Sequence, residues 1–490
     1  MSSTENTPLL ASRHLQPEDD DQVDMNDHRQ QTLITIALTG FISMWTFWTF
    51  SVDWPDILLV FDTPSTLQGA FVTLSPLLTS TFVVLVSSVY ASAYGKRTVL
   101  VYSTGCMAVG AVGIAIAPGM AWLLVFRFIQ TLGTSPIWSL GISTLGDMFD
   151  SKTRGRAVGL FISLSMLGAI VAPFFDLLIM KLAPLAYISR YQAWRVTQGL
   201  LAIASASCWS AIRSGYIDDT GSDALDNHES HRLKRLLNPF SAFSLLQDSN
   251  ILCLSFGSGL PIFAAIGLLW MELSLYRWPF EQGPTEDIVF RRFLPVGAIG
   301  LAAGAIVSGI VSDKLFSRPR SVPWSQLREN NFLLTAVPGG LVLIPLALVW
   351  VGALLKSAIG GGDHLPVDNI SEVNVPLLLF CFFLGGVGTY SVVVPCLLYF
   401  VEVAPPKQSV ELIAASDALQ TFVAALAVMI LTILAQAFGA VFANTCGAVM
   451  ALSSPILIWT VSRRRRVPLE SELRSRNGSF SDLANGHDRA

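Results

Sequence analysis

Five ionisable side chains interrupt long apolar stretches of this 490-residue chain, namely Asp53, Arg127, Asp176, Glu272 and Asp417. A charge at the centre of a bilayer-spanning helix costs about 2.5–3.5 kcal/mol on insertion scales, so each of these groups needs a physical reason. An arginine keeps its proton, whereas a carboxylate beside it can exchange one whenever the pairing changes. Asp53 and Arg127 lie at comparable estimated depths in their helices, which makes them a candidate proton-coupling pair.

Three further residues are candidates for the wall of a substrate cavity. Gln130 follows Arg127 by one helical turn, Trp48 belongs to a group of aromatic side chains in the first apolar stretch, and Asp176 is another embedded carboxylate. For Asp53, Arg127 and Trp48, a purely structural role is an open alternative. Asp53 would then lie in the headgroup zone beside a proline kink, Arg127 would clamp two helices, and Trp48 would belong to an interfacial belt.

The composition identifies the class of protein that positions these residues. Hydrophobic residues make up 52% of the chain, charged residues only 13%, and the mean hydropathy is +0.56. Soluble domains carry about a quarter charged residues, so the chain is expected to be an integral membrane protein with the lipid bilayer as a partner. The net charge of -4 excludes a basic nucleic-acid-binding surface.

Several function classes are disfavoured by missing motifs. The six cysteines lie in apolar runs without CxxC spacing, and the six histidines lie in tails or polar loops, so neither a metal site nor a disulfide framework is predicted. The chain also lacks a GxxxxGK[ST] phosphate loop. We therefore expect no cofactor, no metal and no enzymatic activity, and a transport process driven by a gradient.

The apolar segments predict an all-α membrane protein with twelve transmembrane helices in two six-helix bundles. A span needs about 20 apolar residues, because each backbone group must be satisfied within the segment. The expected spans are 33–61, 69–90, 99–118, 121–145, 157–180, 194–212, 251–275, 294–311, 332–355, 375–400, 412–438 and 441–459. The expected parts are a disordered tail (1–32), an N-terminal bundle (33–213), a linker (214–250), a C-terminal bundle (251–462) and a second tail (463–490).

The distribution of lysine and arginine predicts the orientation. Basic residues concentrate in alternate loops, in the linker and in the run 463–466, which places both termini in the cytosol. The sequon at Asn369 then lies in an outer loop, where glycosylation could occur.

Several local motifs resemble those of the major facilitator superfamily, specifically its twelve-helix drug:proton antiporter branch. Residues 127–133 resemble the RxxQGxG motif of the fourth helix, except that Thr131 replaces the first glycine of the motif. The fifth span resembles the antiporter motif through Gly159, Gly168 and Pro173, and residues 309–314 resemble the loop signature GxxxD[RK] through Gly309, Asp313 and Lys314. The equivalent loop of the first half keeps only Gly95, Lys96 and Arg97 of that signature.

This resemblance implies a secondary transporter that exchanges protons for small molecules. Small residues and a proline in the fifth span would allow the close helix packing and bending that two rocking bundles require. We expect export of a drug, a secondary metabolite or an organic acid by alternating access. The alternatives are a uniporter or symporter for organic acids or other nutrients, and a receptor on the same fold that does not transport.

A short motif near the start of the chain bears on localisation. Glu5, Leu9 and Leu10 have the spacing of an acidic dileucine signal, which sorting adaptors read on cytosolic tails. The expected location is therefore the plasma membrane or a vacuolar or endosomal membrane. Together with the sequon at Asn369, the signal indicates a eukaryotic host such as a fungus.

Overall fold

The computed structural model describes residues 16–61, 66–182, 192–215, 241–276, 286–316, 333–359, 374–404 and 408–463. Within these ranges, side chains are described in 29–50, 57, 60–61, 74–182, 192–215, 242–266, 294–315 and most of 333–354, 374–404 and 408–462. All regular secondary structure in the described part of the chain is helical. The expectation of an all-α protein is confirmed.

The described chain forms thirteen α-helices, which we number in chain order. They are α1 (Gln16–Val60), α2 (Thr66–Tyr94), α3 (Lys96–Ala115), α4 (Met120–Thr134), α5 (Pro136–Met148), α6 (Arg154–Leu182), α7 (Ala193–Gly215), α8 (Ser249–Tyr276), α9 (Glu286–Phe316), α10 (Ile344–Ile359), α11 (Val375–Val403), α12 (Ser409–Phe438) and α13 (Ala440–Arg463). Three shorter elements are the 3₁₀ helices Ser241–Gln247 and Leu334–Ala336 and the π-helix Gly339–Leu343.

Each of the twelve expected spans coincides with helix. Nine described helices have windows that are long and apolar enough to cross a bilayer. The fourth span is divided into α4 and α5 at Pro136, which stands at the first position of α5. The ninth span contains a 3₁₀ turn, a π-helix and α10 in succession.

The first helix begins earlier than expected. The sequence predicts a disordered tail to residue 32, whereas α1 begins at Gln16 and runs without a break into the apolar region. Four acidic residues, Glu18 to Asp21, lie in its first turns. Negative charge at a helix N-terminus is favourable, because it interacts with the positive end of the helix dipole.

Two helix pairs join the halves of the molecule. Helix α2 packs along α12, and α6 packs along α9. If the twelve expected spans are numbered in order, α2 and α12 are spans 2 and 11, and α6 and α9 are spans 5 and 8. Span 2 of the first half corresponds to span 8 of the second half, and span 5 corresponds to span 11, so the two contacts are equivalent. The contacts therefore have the two-fold relation expected of a chain built from two similar six-helix repeats.

Glycines allow the α6–α9 pair to approach closely. A Cβ atom on Gly159 would lie 2.7 Å from the carbonyl oxygen of Ala305, and one on Gly309 would collide with the carbonyl of Gly155. Small residues at a helix crossing permit this backbone contact in a membrane, where apolar burial gives no drive for association. The motif glycines of both halves thus meet at the boundary between them.

Candidate substrate cavity and gate

A cavity of about 200 Å³ lies between the two halves, lined by residues of both. Its wall is mostly apolar, and it includes the aromatic side chains Phe47, Trp48, Trp138 and Tyr390. Hydroxyl groups are distributed among them, contributed by serines and threonines of α1, α2, α4, α5, α11 and α12. A cavity with many apolar groups and few polar ones is typical of a site for a small organic molecule.

The three candidate cavity residues lie in different environments. Trp48 lines the cavity. Gln130 is fully buried inside the first half and is not among the described lining residues. Asp176 is 2% exposed in α6, one turn after Pro173, and it also lies outside the described lining.

Arg127 is held by groups from two helices. Its guanidinium donates to the backbone carbonyls of Thr46 and Phe47 in α1, each at 3.2 Å, and to Gln130 Oε1 at 2.7 Å. The Phe50 ring lies 4.0 Å below the guanidinium carbon, which is the geometry of a cation–π contact. Arg127 is 4% exposed. These contacts compensate a buried cation without using any described carboxylate.

Gln198 extends this cluster into a third helix, although it was not among the predicted site residues. The Nε2 of Gln130 donates to Gln198 Oε1 in α7 at 3.0 Å, and both amides are buried. We call Arg127, Gln130 and Gln198 the polar cluster. Gln198 is uncharged, so it does not stand out when only ionisable residues within apolar spans are considered. It is recognisable from the sequence only as one of the polar residues within these spans.

Of the three remaining embedded carboxylates, only Asp417 has a side chain that the structure describes. The side chains of Asp53 and Glu272 lie outside the described residues, although α1 and α8 include their positions. Asp417 is described and lines the cavity from α12. Among the embedded carboxylates whose side chains are described, it is the one with direct access to the space between the halves.

One end of the space between the halves is closed around Asp313. Its carboxylate accepts hydrogen bonds from the backbone amides of Gly155 and Arg156, at 2.8 and 2.9 Å, and lies 3.4 Å from the Arg156 side chain. A second cross-half ion pair joins Arg154 to Glu402 at 2.8 Å. The first turn of α6 is thus attached to both α9 and α11. Lys314, the next motif residue, is exposed.

The motif remnant of the first half also contacts the gate. Gly95 has a φ of 90°, which favours glycine, and it separates α2 from α3. Lys96 forms an ion pair with Asp147 at 2.5 Å and donates to Ser143 at 2.7 Å. The Ser143 hydroxyl lies 3.0 Å from that of Ser409 in the second half.

Other motif residues have packing or local contacts. Arg97 donates to the carbonyl of Arg213 at 2.6 Å. A Cβ on Gly168 would collide with the Phe41 carbonyl, so this glycine permits close contact between α6 and α1. Pro173 lies inside α6 and is buried.

The remaining predicted positions lie outside the described residues. These are the sequon at Asn369 and the sorting residues Glu5, Leu9 and Leu10. Within the described ranges, no group of three or more His, Cys, Asp or Glu side chains is placed to hold a metal ion.

Solved transporter structures share this fold. The human organic anion transporter MFSD10 (TETRAN) matches 88% of this chain and 99% of its own, with a TM-score of 0.57 at 16% identity. The proton:xylose symporter XylE, solved with 6-bromo-6-deoxy-D-glucose, matches 89% and 96%, with a TM-score of 0.61 at 12% identity.

Curated fungal transporters are similar in sequence. The MFS antiporter QDR3 of Candida albicans is 32% identical over 26% of this chain and 17% of its own length. The efflux pump FUB11 of Gibberella moniliformis is 24% identical over 55% and 47%, and the multidrug transporter TPO1_2 of Candida glabrata is 23% identical over 63% and 52%. The chain thus spans about half or less of these relatives.

A family model covers most of the chain. The model described as Major Facilitator Superfamily matches residues 36–367. This range includes the RxxQ segment at Arg127, the α6 glycines and Asp313 at the closed gate. Together with the apolar helices and the shared fold, the match shows that the chain is a multi-pass membrane protein that belongs to the major facilitator superfamily.

Proposed function

We propose that this protein is a proton-coupled exporter of small, partly apolar organic molecules that works by alternating access. The observation that carries this proposal is the cavity between the halves, which both halves line and whose nearby gate is made of separable polar contacts. A site between two repeats can be exposed alternately to the two sides when the repeats rock.

The energetics of the gate fit such a movement. The Arg154–Glu402 pair is partly exposed, and pairs of this kind contribute about 0–1 kcal/mol each. The Asp313 contacts are hydrogen bonds to a charged group, which contribute about 1.5–3 kcal/mol each. Contacts of this size can be replaced by similar contacts in another conformation.

The lining favours organic substrates over ions or sugars. Aromatic and aliphatic groups outnumber polar groups in the cavity, so transfer of an apolar substrate surface into it is favourable. Export is also supported by the similar fungal proteins, which include an efflux pump and a multidrug transporter.

Arg127 and Asp53 are the proposed proton-coupling pair. The Nε–H of Arg127 has no hydrogen-bond partner among the described residues and is therefore available to donate to a further acceptor. Asp53 follows Phe50, on which the guanidinium stacks, by about one turn of α1. A carboxylate at this position would pair with Arg127 when ionised and release it when protonated, which would also change the contact between α1 and α4.

Transport in inverted vesicles tests the proposal. An imposed pH gradient should drive accumulation of a fluorescent amphipathic dye in vesicles with the wild-type protein, and empty vesicles should not accumulate it. Vesicles with Asp53→Asn should still exchange dye at equal pH, but a pH gradient should no longer drive dye accumulation in them. Asp150→Asn, which removes an exposed loop carboxylate, is the matched control. Unaltered gradient-driven accumulation in Asp53→Asn would contradict the pair, and accumulation with the gradient reversed would indicate symport.

The proposed orientation has both termini in the cytosol and Asn369 on the opposite side, at the plasma membrane or a vacuolar or endosomal membrane. The orientation is based on the loop charge, and the choice of membrane on the dileucine spacing at Leu9 and Leu10. Labelling of Asn369→Cys by a membrane-impermeant maleimide in intact cells tests the orientation at the cell surface. If a surface-localised protein is labelled only after permeabilisation, Asn369 lies on the cytosolic side and the proposed orientation is wrong.

A further inference from the structure

Asp417 contributes a charge to the described part of the cavity wall. It is the single carboxylate among the described lining residues, and none of those residues is a lysine, arginine or histidine. The cavity therefore has a localised negative charge when Asp417 is ionised, set in a wall that is otherwise neutral.

The carboxylate of Asp417 has no counter-ion among the side chains that the structure describes. Among the described residues, neither an ion pair nor a hydrogen bond reaches its oxygens, although it is only partly exposed. Tyr390, which also lines the cavity, offers a phenol and no positive charge. An ionised carboxylate in an apolar setting is unfavourable without a partner. A cation that enters the cavity therefore gains an interaction that none of the described lining side chains provides.

The surrounding wall matches the rest of such a ligand. The aromatic rings of Trp48, Trp138 and Tyr390 line the same cavity. Aromatic faces attract cations and also pack against flat apolar groups. A ligand with one positive charge and an aromatic or aliphatic body therefore complements both features at once.

We propose that Asp417 is the recognition group for a protonated organic amine, so that the preferred substrates are amphipathic organic cations. This inference rests on the proposed function, because it assigns a substrate class to the proposed exporter's cavity. The ammonium group binds the Asp417 carboxylate through charge-assisted hydrogen bonds, and the apolar body lies against the aromatic wall.

The position of Asp417 connects ligand binding to the contact between the halves. Thr421 lies one turn further along α12, and its hydroxyl is 3.2 Å from that of Thr81 in α2. Gln420, on the neighbouring turn, donates to Ser258 of α8 at 2.8 Å. An amine bound at Asp417 thus lies next to the α2–α12 crossing, where the two halves pack along each other.

Binding to the purified full-length protein in nanodiscs tests the inference without any need for transport. The probes are 2-phenylethylamine and its neutral counterpart 2-phenylethanol, titrated by calorimetry at pH 7 with empty nanodiscs as the blank. We expect the wild type to bind the amine about tenfold more tightly than the alcohol, a difference typical of one charge-assisted contact. Asp417→Asn should remove this preference and leave alcohol binding unchanged.

Each other outcome counts against the inference. Equal binding of both probes by the wild type, no binding of either, or an unchanged amine preference in Asp417→Asn would overturn it. The wild-type comparison decides the question even if the variant does not fold, and Asp150→Asn controls for the loss of one negative charge. Asp417-dependent amine binding without vesicle transport would contradict the proposed exporter alone, whereas transport without charge preference would contradict this inference alone.

Discussion

The carboxylate of Asp313 in α9 accepts a hydrogen bond from the backbone amide of Gly155 in α6, at 2.8 Å across the boundary between the halves. Gly155 lies in the first turn of its helix, where backbone amides have no partner within the helix and the helix dipole is positive. Asp313 therefore acts as an N-terminal cap supplied by the opposite half. Separation of the halves at this end removes the cap.

The first prediction compares the two cross-half carboxylates. Asp313→Asn should destabilise the closed gate by about 1.5–3 kcal/mol, because the amide oxygen can accept from only one of the two backbone N–H groups and the negative charge is lost. Glu402→Gln should cost only about 0–1 kcal/mol, because its pair with Arg154 is partly exposed. The measurement is the maleimide labelling rate of Ser409→Cys, which is buried at the closed gate. A larger increase in Glu402→Gln than in Asp313→Asn would contradict this assignment.

The second prediction uses the two facing serines. The hydroxyls of Ser143 and Ser409 lie 3.0 Å apart, so cysteines at both positions should form a disulfide. Oxidation of the double variant should stop transport, and a reducing agent should restore it. The two single-cysteine variants are the controls, since each should transport equally before and after oxidation. Full transport in the cross-linked protein would show that this gate does not open during the cycle.

The sequence predicts the spans well because membrane insertion is a local requirement. A segment of sufficient length and apolarity must be helical in a bilayer whatever its neighbours, and all twelve expected spans are helical. The interruptions at Pro136 and at the π-helix Gly339–Leu343 are less predictable. These interruptions depend on packing between helices, and the average hydropathy of a segment contains no information about packing.

The site is predictable only in part, for a related reason. The sequence identifies Arg127 as an embedded charge, but its acceptors are the backbone carbonyls of Thr46 and Phe47, and carbonyls have no sequence signal. Asp417 could equally be interfacial on sequence grounds. Its access to the cavity depends on the rotation of α12 about its own axis, which is set by contacts with α2 and α8.

The third prediction concerns the glycines of the α6–α9 crossing. Gly159→Ala and Gly309→Ala should each destabilise the protein by about 1–3 kcal/mol, because the added methyl group meets backbone atoms of the other helix. Gly199→Ala in α7 is the matched control, since nothing lies within 4 Å of its added Cβ. Alanine is favoured over glycine in helices, so the control should be neutral or slightly stabilising. Thermal unfolding in detergent measures all three.

A fourth prediction separates the shape of Arg127 from its charge. Arg127→Lys keeps a positive charge but loses the planar fork that reaches Gln130 and two carbonyls while it stacks on Phe50. A lysine ammonium has three donors and no flat face, so the variant should express but transport at least several-fold more slowly. Transport by Arg127→Lys at the wild-type rate would show that the charge alone is sufficient.

The last prediction tests whether Gln198 positions Arg127 through Gln130. Gln198 accepts from the Gln130 amide, whose oxygen in turn accepts from Arg127, so Gln198 fixes the orientation of that amide. Gln198→Leu is similar in size but leaves a buried N–H donor unpaired, at a cost of about 1–3 kcal/mol. Gln198→Glu restores an acceptor at the same place. If Gln198 positions the cluster, the leucine variant should lose gradient-driven transport more than exchange at equal pH, and the glutamate variant should recover part of it. Equal loss of both activities in the leucine variant, in proportion to a lower thermal stability, would reduce Gln198 to a packing residue.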